Sequence, residues 1–309
     1  MSSEPASSTD NTLQRLRLQA STSRLYALID PSQDERWQLS CDELELATRQ
    51  FRIIANPFID LPPWRRLYLK PLEVRDIDIP ELVAQQRSSL PSKRTEPSGF
   101  CALVTSSVLS ISLSRWIERQ LTVTSPEGKT CLLRFFDPRV MELLAFLLDP
   151  GQKTLLLHPF TGWFYFDHQQ VLREMEIPRE PPPAPFTLSP EQWASLKRSG
   201  TINHLIDKWR SLEPDSAAEA SPERINALMR TAERHGLHTP ADQQRFVLHG
   251  LHVGDDFHRH PFMQRLLESI GPSQRYGDLT AALPVAEWNE ISTWTRNTAH
   301  GQSRPAQAD

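Results

Sequence analysis

The run Arg134-Phe135-Phe136-Asp137-Pro138-Arg139 places two guanidinium groups around one carboxylate, where a strand-like apolar stretch meets a helix-like one. An Asp side chain accepts from the first free amides of a helix, and a Pro at the first helical position lacks the N–H that would otherwise go unpaired. The pattern predicts that Asp137 caps a helix and that Arg134 or Arg139 pairs with a carboxylate such as Asp30. Loss of that cap in Asp137→Ala is then worth about 1 kcal/mol. The same polar cluster, standing at strand ends, could also grip a partner segment.

Other side chains with chemical potential are less well arranged. His249, His252, His258 and His260 stand close in sequence, with Asp255 and Asp256 between them. Imidazole is a common metal ligand, so a metal-dependent hydrolase is one reading, but the spacing matches no H-E-x-x-H zinc motif. There is no G-x-S-x-G, no Cys–His signature and no Walker or G-x-G-x-x-G phosphate loop. Cys41, Cys101 and Cys131 are widely spaced and odd in number, which argues against a disulfide framework. Aromatic residues stud the second half: Trp193, Trp209, Phe246, Phe257, Phe262, Trp288 and Trp294. Most belong to a core, but Phe257 and Phe262 are candidates for contact with an amphipathic partner.

The elements that must position these groups can be read from caps and periods. Leu25 to Asp30 reads as a buried strand. Ser40 to Glu43 is a capping box that opens a helix to about Gln50. Pro62-Pro63 breaks the chain, Leu67 to Leu69 suggests a strand, and Pro80 to Arg87 a helix. Phe100 to Val104 and Cys131 to Phe136 read as strands, with a helix carrying Leu113, Trp116 and Ile117 between them and a turn at Glu127 to Lys129. A helix follows from Asp137 to Leu148, then a hairpin of Thr154 to Leu157 with Trp163 to Phe166. This alternation implies an α/β (α+β) N-terminal lobe with a small mixed sheet. Pro178 to Pro185 holds five prolines in eight residues and reads as a stiff connector. Beyond it, Ser189-Pro190, Ser221-Pro222, Thr239-Pro240, the Phe262 to Ile270 stripe and Pro284 to Trp294 predict an all-helical lobe. The expected organisation is a disordered tail over 1–20, the α/β lobe over 21–177, the connector over 178–188, the helical lobe over 189–297 and a second tail over 298–309.

Composition narrows the function classes. Residues 1–180 carry 21 basic against 23 acidic groups and residues 181–309 carry 13 against 15, so neither half offers the basic surface that nucleic acid requires. No apolar run is long enough for a membrane span, and the polar, Ser-rich start does not resemble a secretory signal. A reducing cytoplasm is the expected location. No cofactor is implied.

The motif residues also carry a family resemblance. Tyr26-Ala27-Leu28-Ile29-Asp30, the Gly99 to Val104 strand followed by the helix with Trp116, the run Leu133 to Val140, and Trp163 resemble the effector adaptor-chaperones of bacterial type VI secretion. The second half, with Ala232 to Leu237, Asp242 to Val253, Phe257 and Pro261, is similar to the helical lobe of these adaptors. The resemblance spans roughly residues 24–270. It departs at the long Pro-rich connector and at Pro71 to Pro97, for which it offers no counterpart. It implies an adaptor and not an enzyme: a cytoplasmic chaperone that binds one cognate effector and loads it onto the VgrG spike, without inserting in a membrane. Its motif residues would be Asp30, Arg134, Phe135, Phe136, Asp137, Pro138, Arg139 and Trp163. An immunity-type protein that neutralises a toxin is the alternative binding function.

Overall fold

The computed structural model describes residues 5–32, 34–38, 51–73, 78–178, 186–271 and 274–302. The helix expected over 40–50 and most of the Pro-rich connector lie outside them. The chain divides into two compact units, residues 1–203 and 204–309.

The first unit is built on a six-stranded sheet. Its strands are β1 (Arg24–Ile29), β2 (Arg52–Ile53), β3 (Tyr68–Leu72), β4 (Phe100–Ser106), β7 (Gly162–Phe166) and β8 (Leu172–Glu174), in the order β2-β3-β1-β4-β7-β8. Period-two alternation sorts the side chains of β1. Leu25, Ala27 and Ile29 join one core cluster while Tyr26 and Leu28 join the other. Helices α1 (Pro5–Thr22) and α2 (Ile79–Ser88) contribute Leu16, Ala20, Ile79 and Val83 to the first cluster. Helices α3 (Ser110–Gln120), α4 (Pro138–Leu147) and α5 (Pro150–Leu157) contribute Leu113, Ile117, Met141, Leu144, Leu156 and Leu157 to the second. The sheet is thus covered on both faces, which explains why β4 is buried along its whole length.

Four expectations for this unit need correction. Every ladder of the sheet is antiparallel, where a mixed sheet was expected. The segment read as a strand from Cys131 to Phe136 does not return beside β4. Only Thr130–Leu132 is a strand (β6), and it pairs with β5 (Thr122–Thr124) in a separate hairpin turned at Gly128, φ 77°. Thr154 to Leu157 is helical, because Asp149 and Gln152 form a capping box around Pro150 and start α5. Residues 5–22 are not a tail but a helix. Leu16 and Ala20 are buried, and Gln19 bonds to Glu174 and Thr105 over the sheet at 2.8 Å each.

The boundary between units also falls later than composition suggested. Helix α6 (Pro190–Lys197) belongs to the first unit: Trp193 and Leu196 pack on its core, and Gln192 Nε2 donates to the Leu147 carbonyl at 2.7 Å. The boundary lies inside α7 (Ser199–Leu212).

The second unit is helical, as expected. Helices α8 (Pro222–Arg234), α9 (Pro240–Val253) and α10 (Pro261–Glu268) each have Pro at the first position. Ser221, Thr239 and His260 cap them. Gly236, φ 76°, closes α8, and the Leu237 N–H donates to the Ala232 carbonyl at 3.0 Å. α8 and α9 cross closely at Gly250, where a Cβ would lie 2.6 Å from a Leu228 methyl. Helix α11 (Tyr276–Ala281) was not anticipated, and α12 (Val285–Gln302) runs beyond Trp294 into the stretch expected as a tail. Residues 303–309 are outside the described residues.

Candidate binding site

Strand β1 ends at Ile29 and delivers Asp30 to the sheet rim, where its amide donates to the Gly99 carbonyl at 2.8 Å. The carboxylate accepts from the Ser32 amide at 3.1 Å and the Ser32 hydroxyl at 2.5 Å. The turn from Arg134 to Asp137 brings a guanidinium beside it. Arg134 Nη2 lies 3.3 Å from Asp30 Oδ2 and 3.5 Å from Asp137 Oδ2. Arg139 grips Asp137 with two bonds, 3.0 and 2.7 Å, and reaches the Thr95 carbonyl at 3.2 Å. Asp137 caps α4 through the Arg139 amide at 3.0 Å. The cap and the Asp30–Arg134 pair both stand as the sequence predicts.

The two carboxylates respond differently to this setting. Burial pushes Asp137 up, but the bonds and charges of Arg139 and Arg134 outweigh it and hold the group below the ordinary carboxylate range. Burial also pushes Asp30 up, and there Ser32 and Arg134 do not fully offset it, so that carboxyl sits above its ordinary value. The arginine they share is closer to Asp30, yet Asp137 has Arg139 as well.

The motif divides by location. Phe135 and Trp163 are fully buried, with ring centroids 5.5 Å apart, and act as core. Pro138 starts α4. Asp30, Arg134 and Phe136 instead line an open pocket of about 230 Å³, and Arg134 lies over the Phe136 ring at 5.5 Å. Ile54, Ile59, Leu61, Leu67, Leu121 and Leu132 supply its apolar lining, with Asn56 and Arg65 as further polar members.

The loop between β2 and β3 makes that wall, and sequence reasoning passed over it. The loop is internally bonded. Asn56 Oδ1 accepts from the Phe58 and Ile59 amides at 2.9 and 3.3 Å, Arg66 donates to the Leu61 carbonyl at 2.6 Å and pairs with Asp60, and the Ile54 amide closes on the Leu67 carbonyl at 2.7 Å. Yet Phe58, Ile59 and Trp64 remain exposed at 45%, 55% and 42%. The available signal was Asn-Pro-Phe-Ile and Pro-Pro-Trp in a stretch without strand or helix period: large apolar residues where a loop normally carries polar ones.

A second polar cluster also escaped the sequence. Arg94 pairs with Glu142, whose other oxygen lies 2.6 Å from His168 Nδ1, and Arg94 Nε bonds to Asn203 at 3.0 Å. Burial pushes Arg94 below its ordinary value. All three ionisable side chains are about nine-tenths enclosed, so the cluster ties Pro91–Glu96, α4 and the β7–β8 turn together instead of meeting a ligand.

In the second unit the structure corrects one of the two partner-contact candidates. Phe257 is fully buried against Phe246 at 4.8 Å and presents no surface. Phe262 is half-buried at the start of α10, where its amide donates to His260 Nδ1 at 3.3 Å. Neither lines the pocket at Asp30. The histidines have other work. His249 Nδ1 lies 2.7 Å from the Tyr276 hydroxyl and its ring 4.4 Å from Trp288. His258 meets the Asp255 carbonyl at 3.1 Å. Burial and Arg245 push His249 down to about 4, and burial also lowers His235 and His258. Among the described residues, no group of three or more His, Cys, Asp or Glu side chains is placed to hold a metal ion. No described helix is long and apolar enough to cross a membrane. Comparison with protein-family models, curated proteins and solved structures finds no match to the chain.

Proposed function

We propose that this chain is a cytoplasmic adaptor-chaperone that binds a cognate type VI secretion effector and brings it to the VgrG spike. The observation that supports this reading is the placement of Asp30, Arg134 and Phe136. These residues, which carry the family resemblance, line an apolar pocket beside a pre-formed loop with exposed Phe58, Ile59 and Trp64. Aromatic and arginine side chains around a small pocket are the usual anchors of protein interfaces. Asp30 is engaged there by Ser32 and Arg134, which fix the rim of the sheet. Binding would act by mass action, with the adaptor stabilising the effector state it holds.

The test is co-expression of the tagged full chain with the effector and spike proteins encoded beside it, followed by retention of effector fragments. Retention of an N-terminal or middle effector fragment, with the spike recruited, is expected. Retention of the toxic domain alone would mean an immunity protein, and retention of no neighbour would overturn both.

A further inference from the structure

The geometry points to the chemistry of what enters the pocket at Asp30: a protein segment that inserts one apolar side chain and carries a carboxylate within a residue or two of it. That the occupant is a protein rests on the adaptor reading; its chemistry rests on the pocket. Size decides first. A volume of about 230 Å³ is below the roughly 300–1,000 Å³ of small-molecule sites and suits one large aliphatic or aromatic side chain.

Charge decides next. Asp30 and Asp137 are balanced by Arg134 and Arg139, so the ion-pair floor is neutral. Arg65 is left over: it is exposed, and its guanidinium has no hydrogen bond or ion pair among the described residues. Arg134 is also short of acceptors. Its Nη2 spans two carboxylates at 3.3 and 3.5 Å, longer than the 2.7–2.9 Å or so of a strong charge-assisted bond. A ligand carboxylate supplies what both arginines lack. A ligand cation would face Arg65 and find Asp30 already bonded to Ser32 and Arg134.

Rigidity favours the same site. The bonds of Asn56 and Arg66 fix the loop that carries Ile59 and Arg65, so little ordering cost is left for binding.

The probe is a phage-displayed library of random dodecapeptides, selected on the immobilised full chain and re-tested on Ile59→Asp, Arg65→Glu and Arg65→Lys. All these positions are exposed, and circular dichroism checks that each variant is folded. Enriched peptides are expected to share an apolar residue next to Asp or Glu. Their binding should fall about tenfold or more in Arg65→Glu and in Ile59→Asp, and persist in Arg65→Lys. Three results each overturn the inference: no enrichment, enrichment without an acidic residue, or binding unchanged in both disruptive variants. The co-expression experiment stands apart from these. An effector retained equally by wild type and both variants removes the pocket inference and leaves the adaptor reading in place.

Discussion

The two units bury ionisable side chains by opposite means. The first pairs its buried acids and bases over long sequence distances: Asp30 with Arg134, and Arg94 with Glu142. The second unit half-buries imidazoles among aromatic rings, and burial lowers their pKa. His249 rests on Trp288 and Tyr276, while His235 and His258 meet edge-on at 5.3 Å beside Phe246. The difference follows from architecture. A covered sheet brings distant loops to its rim, and a salt bridge there fixes which loops meet. A helical unit started by local Ser-Pro and Thr-Pro caps rests more on local signals, and packs rings around its imidazoles, although Arg224–Asp255 and Asp242–Gly277 tie its helices too. The units should therefore fail for different reasons, one by loss of a partner and the other by gain of a proton.

The largest effect expected is in the first unit. Glu142→Ala leaves Arg94 buried without its anion and removes the acceptor of His168. Breaking a buried pair on one side costs about 3–5 kcal/mol. Urea unfolding read by amide exchange should show that loss in residues of the first unit. Replacing both partners, Arg94→Met with Glu142→Leu, should restore most of it, because no charge is then stranded. Equal losses in single and double variants would mean that the cluster matters for packing and not for charge.

Acid should reverse the order of vulnerability. A histidine whose folded pKa is depressed binds its proton first in the unfolded chain, so stability is lost as pH falls from about 6.5 toward the folded value. For His249, at about 4, the loss between neutral pH and pH 4 amounts to roughly 3 kcal/mol. His235 and His258 add to it in the same direction. The first unit responds otherwise. Asp137, held low, keeps its contribution until pH falls below the ordinary carboxylate range, and Asp30, held high, is relieved by acid. Proton NMR titration of the imidazoles, with unfolding followed from pH 7 to pH 4.5, tests this. His249→Phe should flatten the slope. An unchanged slope would show that the acid response lies elsewhere.

The same contrast explains what could be read from the sequence. Helices α8, α9 and α10 of the second unit were legible because each start is a local signal, a cap followed by Pro, and each stripe repeats within one helix; α11 has neither a side-chain cap nor a Pro start and was missed. β1, β4 and α4 were legible for the same reason, and Asp30 with Arg134 was recoverable from residue type. The short apolar run at Thr154–Leu157 has no period of its own, and the Asp149–Gln152 box that decides it lies upstream. Arg94, Glu142 and His168 are far apart in the chain and leave no pattern at all. Phe257 shows the limit of hydrophobicity as a guide, since a core aromatic and an interface aromatic read alike. Cap arithmetic also undercounts at Asp137, where the side chain caps α4 and holds Arg134 and Arg139 besides.

The smallest effect is the cleanest check on that last point. Ser221 caps α8 through the Arg224 amide at 3.2 Å, and its hydroxyl holds no charged side chain. Ser221→Ala should therefore cost about 1 kcal/mol, the ordinary worth of a cap, and Ser221→Asp should restore it through the free amides and the positive end of the helix. Both changes should move the urea midpoint of the second unit without altering its pH slope, because neither touches an imidazole. If Ser221→Ala cost as much as Glu142→Ala, local capping would not be what separates the two units, and the helical half would depend on long-range ties as the sheet half does.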